Sequence, residues 1–307
     1  MNKNYFEVLR PGINSTFQDN GRNNFYHIGI PFSGAMDNRN FLLANTISNN
    51  GINNPVLEFA YQGPKLKYIG ENISINVTGD VNFKIIRKNK NLEFSCYENI
   101  VLENNDCLDI LSTNRSVYGY LSIGGTFEVD YYLNSCSTNT KAKIGANSGE
   151  KLEKGQIIHL KNIKKILPKN KIEYLNSKIE NIRIIKGPHF DYFSKDAIDS
   201  FFSNEFNVTK LSDRMGIRLK GPKISNIKNT NIKSEGLVKG VIQITADGDP
   251  IIMLSDHGTI GGYPKIGVVI SADYDKLVQI PPGSKIKFKE INLKDAETIF
   301  KLYEMET

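Results

Sequence analysis

The sequence predicts a mostly β protein: two β domains of one design, arising from an internal duplication, with a few short helices. Three observations lead there. Short runs of β-branched residues recur between turn residues; few stretches carry a helical pattern; and a set of residue matches returns in the same order in the second half of the chain. At 307 residues the chain is also long for a single core.

Taken in order, an entry strand passes through Val8-Leu-Arg10 and a helix covers about Asn38 to Ile47. The second half enters on Ile182-Arg-Ile-Ile185, followed by a helix near Phe190 to Phe202. Strands are predicted over Val241–Thr245, Pro250–Leu254, Ile266–Ile270, Lys276–Ile280 and Lys285–Ile291. Between the first two of these, Ala246-Asp-Gly-Asp249 reads as a type I′ hairpin turn, which needs φ > 0 at both central residues. A last helix runs from about Leu293 to Tyr303, capped by Asn292.

The matches pair Ser33-x-x-Met36-x-x-Arg39 with Ser212-x-x-Met215-x-x-Arg218, Glu58 and Gly63 with Glu235 and Gly240, and Asp80 with Asp256. Ile123-Gly-Gly125 pairs with Ile260-Gly-Gly262, which leaves extra residues in the first copy. The expected domains are 1–165, with an insertion near 81–117, then 180–292, then a terminal helix over 293–307. The division falls in the lysine- and asparagine-rich stretch near 162–180.

A net charge of +6 comes from scattered lysines, and the richest stretch, Lys161 to Lys178, has little aromatic interleaving. It reads as a solvated linker, not a nucleic-acid patch. Cys96, Cys107 and Cys136 are odd in number with no C-x-x-C spacing, which fits a reducing cytoplasm and no disulfide framework. The four histidines lack metal-site spacing, and no run approaches the ~18 apolar residues of a membrane helix. No metal site, nucleic acid or membrane is expected.

Glycine, small polar and charged residues concentrate from Leu211 to Gly283, so function is sought there first. Arg214 and Arg218 flank Gly216 near Asp213 and supply planar donors suited to two-point contact with a carboxylate or phosphate. Ser212 and Asp213 equally fit a turn held by its own side chains. Gly258, Gly261, Gly262 and Gly267 around Tyr263-Pro-Lys265 fit an anion-binding loop or a plain cluster of turns. No P-loop pattern occurs.

The segments Pro11-Gly12, Phe17-Gln-Asp-Asn-Gly-Arg22, Gly29-Ile-Pro-Phe-Ser-Gly-Ala-Met-Asp37, Leu57-Glu58, Val77-Thr-Gly79, Leu211-Ser-Asp-Arg-Met-Gly216, Ser234-Glu-Gly236 and Gly261-Gly-Tyr-Pro264 resemble one family. It contains the C subunit of bacterial ATP-dependent 5-oxoprolinase and is also known as KipA and as the carboxyltransferase-domain or allophanate-hydrolase-subunit-2 group. The resemblance runs from about residue 5 to 290. It implies two tandem cyclophilin-like β-barrel domains, a KipI-like B subunit and a lactam-utilisation-type A subunit as partners, and opening of 5-oxoproline to glutamate with ATP and Mg²⁺.

Under that reading Asp213, Arg214, Glu235 and Asp256 are the catalytic candidates. The two arginines hold an anion, and an acid orients a proton or the Mg²⁺ of a bound nucleotide. Ser212, Arg218, Gln243, Gly261, Gly262, Tyr263, Lys265, Arg22 and Asp37 are expected to contact substrate or nucleotide. Arg214 is expected to serve function more than folding, because the first copy has Ala35 in its place. One departure stands out: Asn134-Ser-Cys-Ser-Thr138 carries Cys136 where relatives usually have arginine. Either that arginine touches substrate in relatives and the substrate differs here, or Cys136 fills a neutral barrel-rim position. Two further readings follow from the resemblance: a biotin-dependent carboxyltransferase acting on a urea-like amide through a separate carrier, and a non-catalytic regulator binding a KipI-like kinase inhibitor.

Overall fold

The structure is a computed structural model that describes residues 4–169, 171–173, 179, 181–226, 228 and 231–305. Contacts group the chain into two units, Met1–Arg22 with Ser33–Asn176, and Asn23–Phe32 with Ser177–Thr307. Part of the expected linker, at 170, 174–178 and 180, lies outside the described residues. Among the described residues no helix is long and apolar enough to cross a membrane.

The first unit contains β1 (Tyr5–Arg10), β2 (Thr16–Gln18), α1 (Asn38–Ile47), β3 (Val56–Ala60), β4 (Lys65–Ile69), β5 (Ile73–Thr78), β6 (Val81–Arg87), β7 (Lys90–Glu93), β8 (Ile100–Leu102), β9 (Cys107–Thr113), β10 (Tyr118–Ile123), β11 (Thr126–Phe127) and β12 (Ile157–Lys161). They form two sheets, ordered β11-β12-β1-β4-β9-β6-β7 and β2-β3-β10-β5-β8. One apolar core joins both, with Phe6 and Val8 from β1, Phe59 from β3 and Leu121 from β10 among its members. β1 alternates buried and half-buried residues, as a strand with one covered face should. β5 and β10 are buried at every position, because α1 lies against both on the face away from the core. Residues 81–117 were expected as an insertion without a counterpart. They supply β6, β7 and β9 to one sheet and β8 to the other, with Phe83, Ile85 and Leu108 in the core, so they belong to the scaffold.

The second unit contains β13 (Ile182–Lys186), α2 (Lys195–Ser203), β14 (Phe206–Val208), β15 (Gly216–Lys220), β16 (Glu235–Gly236), β17 (Val241–Ile244), β18 (Pro250–Met253), β19 (Ile260–Gly261), β20 (Lys265–Val269), α3 (Ser271–Val278), β21 (Lys285–Ile286), β22 (Phe288–Glu290) and α4 (Leu293–Met305). Its main sheet runs β21-β14-β15-β18-β17-β20-β13-β22. The two end strands are consecutive in the chain, separated only by Lys287, whose carbonyl accepts from Ile182 N–H at 2.8 Å. The sheet therefore bends into a nearly closed barrel, leaving little free edge. Phe201 and Phe288 stack inside it at 4.5 Å. The chain is thus mostly β, with the strands over 182–186, 241–244, 250–253 and 265–269 where the sequence predicts them.

Two expectations are corrected. Lys276–Ile280 is not a strand: α3 occupies Ser271–Val278. The buried Asp273 in its first turn accepts from Arg183 N–H at 2.8 Å and from the Arg183 guanidinium at 2.5 Å. This anchor to β13, with an acid favoured at a helix start, outweighs the strand propensity of the short Leu-Val pair. The 246–249 hairpin exists, but only Gly248 takes positive φ, at 78°. Gly248 N–H and Thr245 N–H bond to Thr245 O and Asp249 O, a type I turn closed by a left-handed glycine in place of type I′. The residue matches also fall on unlike elements. Met36 is buried just before helix α1, while Met215 is 38% exposed just before strand β15. Glu58 lies in the centre of a sheet and Glu235 in the small β16–β19 ribbon.

Candidate functional site

The turn into β15 is held by its own side chains. Asp213 Oδ1 accepts from Met215 N–H at 2.8 Å and Ser212 Oγ from Arg218 N–H at 3.1 Å. Both residues do what polar turn residues do locally, and their expected part in binding or catalysis gains no geometric support. Arg218 points outward from β15. Arg214 turns its guanidinium onto Asp256, Nε to Oδ2 at 2.8 Å and Nη2 to Oδ1 at 3.1 Å. The two side chains are 12% and 4% exposed. Asp256 N–H bonds back to Arg214 O at 2.9 Å. The planar donors expected to grip a substrate anion, and the acid expected to orient a proton or Mg²⁺, are therefore committed to one another. This buried pair ties the β15 turn to the segment after β18, so Arg214 has a structural contact beside any functional one.

The second cluster gathers around the start of β20. Lys265 is placed opposite Gln243 of β17 by a register that carries a bulge. Its ammonium, 4% exposed, lies 2.9 Å from Glu235 Oε2, while the Glu235 side chain is 49% exposed. The hydrogen bond from Lys265 and then its charge hold the Glu235 carboxyl below the usual carboxylate range. His189 completes the group: Nδ1 accepts from Lys265 N–H at 3.3 Å and Nε2 lies 3.6 Å from Glu235. Gln243 Nε2 donates to Tyr263 O at 3.1 Å. A Cβ on Gly261 would come within 2.8 Å of Gln243 Nε2, and one on Gly262 within 3.2 Å of Ile232 O, so both glycines serve close approach. This half of the prediction holds together spatially: Glu235, Gln243, Gly261, Gly262, Tyr263 and Lys265 share one end of the barrel. They place a buried cation behind a solvent-facing carboxylate, an arrangement that can accept an anionic ligand by exchange of counter-ion. Among the described residues, no group of three His, Cys, Asp or Glu side chains is disposed to hold a metal ion.

Arg22 and Asp37 belong to the first unit and serve its scaffold. Arg22 donates to the carbonyls of Tyr132, at 3.1 Å, and of Ser137. Asp37 caps α1, accepting from Asn40 N–H at 2.9 Å. Sequence reasoning missed two buried networks beside them. Asp19 accepts from Ser135 Oγ at 2.6 Å and Cys136 N–H at 2.7 Å. Glu58 takes Met36 N–H at 2.8 Å and pairs across the sheet with the fully buried Tyr120. Burial, then the Glu58 and Asp37 charges, pushes the Tyr120 phenol well up. Cys136 sits in the core, not on a rim, and burial followed by the Asp19 charge pushes its thiol well above the ordinary value. The sequence signal for these was a polar residue inside an apolar strand, as at Glu58 in Val-Leu-Glu-Phe-Ala.

Comparison with known proteins gives these clusters a context. Residues 28–290 match the family model described as carboxyltransferase domain, subdomain A and B. The C subunit of 5-oxoprolinase from Escherichia coli (strain K12) is 28% identical over 94% of this chain and 92% of its own length. The urea amidolyase of Lachancea kluyveri is 30% identical over 96% of this chain, which is only 17% of that protein. The crystal structure of the Kluyveromyces lactis urea carboxylase superposes with a TM-score of 0.87 at 28% identity, over 98% of this chain and 29% of that one. With the model spanning most of its length and its fold shared with a solved relative, the chain belongs to the carboxyltransferase-domain family.

Proposed function

We propose that the chain is the C-type subunit of a cytoplasmic ATP-dependent 5-oxoprolinase, opening the lactam of 5-oxoproline to glutamate together with a KipI-like B subunit and an A subunit. One observation carries the reading: the correspondence with the C subunit of a 5-oxoprolinase runs end to end, over 94% of this chain and 92% of the relative. The urea amidolyase match accounts for a small part of a much longer protein. ATP with Mg²⁺ is taken up by the assembled complex. Lys265 and Glu235 supply the charge suited to an anionic substrate: the ammonium attracts the carboxylate of 5-oxoproline or a transferred phosphate while Glu235 swings to solvent.

The test is glutamate release from 5-oxoproline by the purified chain, alone and mixed with its partner subunits, ATP and Mg²⁺. Activity is expected only in the mixture. Turnover by the chain alone, or carboxylation of urea in the presence of biotin carboxylase and a biotin carrier without any lactam opening, would refute the proposal.

A further inference from the structure

His257 and Tyr26 have had no role so far, and both lie in the second unit. His257 is 1% exposed, whereas Tyr26, on the short turn Tyr26–Ile28, is 39% exposed. His257 Nδ1 lies 2.6 Å from the carbonyl oxygen of Gly258. A carbonyl only accepts, so Nδ1 carries the hydrogen. Burial holds the imidazole below its ordinary value of 6.5, which leaves Nε2 with a lone pair at neutral pH. That nitrogen is 3.2 Å from the Tyr26 hydroxyl oxygen. The phenol therefore donates inward, and its oxygen lone pairs stay available to whatever reaches the exposed side. Two charges act on His257: Asp256 favours the imidazolium and Lys239 opposes it. Arg214 tempers the first through its two-point contact with Asp256. The result is a sheltered base with a half-exposed hydroxyl in front of it.

We propose that Tyr26 and His257 form a two-residue proton relay, with Tyr26 as the catalytic residue that touches substrate and His257 as the base acting through it. The inference rests on the lactam-opening reading. As a water oxygen bonds to the lactam carbonyl carbon, the carbonyl π pair moves onto its oxygen, the water O–H bond breaks and the proton passes to the Tyr26 oxygen. The phenol's own hydrogen moves to His257 Nε2, leaving a neutral phenol and an imidazolium. When the oxygen lone pair reforms the C=O bond and the ring C–N pair leaves with nitrogen, the relay runs backwards: Nε2 returns its proton to Tyr26, and Tyr26 gives one to the departing nitrogen. Each residue ends in its starting state.

The experiment uses the reconstituted complex with Y26F and H257Q variants. Y26F should lower kcat about 100-fold while KM and the thermal midpoint stay put. H257Q should lower kcat similarly and flatten the acidic limb of the kcat–pH profile. Wild-type kcat in Y26F, or an intact acidic limb in H257Q, overturns the relay. If the wild-type complex releases no glutamate, the lactam reading falls, and the relay is judged on the chain alone by ¹⁵N NMR of its histidines. A neutral Nδ1–H tautomer at His257 whose Nε2 resonance moves in Y26F supports it. An Nε2–H tautomer or an imidazolium at pH 7 overturns it.

Discussion

Removing the Arg214 guanidinium would leave Asp256, 4% exposed, as an uncompensated buried charge. Breaking such a pair costs roughly 3–5 kcal/mol, far more than an exposed ion pair is worth. Arg214→Ala should accordingly lower the thermal midpoint by on the order of 10 °C. Scanning calorimetry checks it, and a fall of only a degree or two would show the pair to be incidental. Lys265→Met should instead leave the fold near wild type in stability and raise KM for 5-oxoproline at least about tenfold, the scale of one lost charged hydrogen bond; an unchanged KM in steady-state assays would separate Lys265 from binding. His257 gives a stability signature. Its folded value lies below 6.5, so as pH drops through 6.5 the unfolded chain gains a proton before the folded chain does, and stability declines from there downwards. Urea melts at about pH 7.5 and 5.5 should show a smaller loss in H257Q than in wild type. These distinctions were out of reach of the sequence, because Arg214 between Asp213 and Met215 looks the same whether its guanidinium faces solvent or Asp256, a partner 42 positions away.

At the level of elements, local signals served best where local physics decides. Asn292 and Leu293–Met305 obey helix-start chemistry, and Asp295 N–H does reach Asn292 Oδ1 at 2.9 Å. Helix α1 was equally legible, and its cap carries a prediction. Asp37 is buried and serves both the backbone and the side chain of Asn40, so Asp37→Ala should cost about 1–2 kcal/mol in urea unfolding. A shift within error would mean that α1 is held by its packing on β5 and β10 alone. Helix α3 was illegible for the opposite reason: its anchor is Arg183, far away in the chain, and five residues of alternating pattern suit either period.

For the molecule as a whole, fold class was readable because it rests on the composition of many short runs. Topology has a kinetic consequence. β1 pairs with β12 and β13 with β22, each across more than a hundred residues, and such closures are slow. Refolding from urea should be multiphasic and extend to seconds or longer in stopped-flow fluorescence; a single millisecond phase would contradict it.

The allocation of Asn23–Phe32 to the second unit, away from both its chain neighbours, bears on ancestry. A crossover near residue 176 would give a descendant residues 23–32, which bring Tyr26 to His257, from one parent and the barrel that holds His257 from the other. Such a hybrid must form the Tyr26–His257 contact from two different parents. Chimeras spliced there with a distant relative should recover function only when the 23–32 segment is taken from the same parent as the barrel.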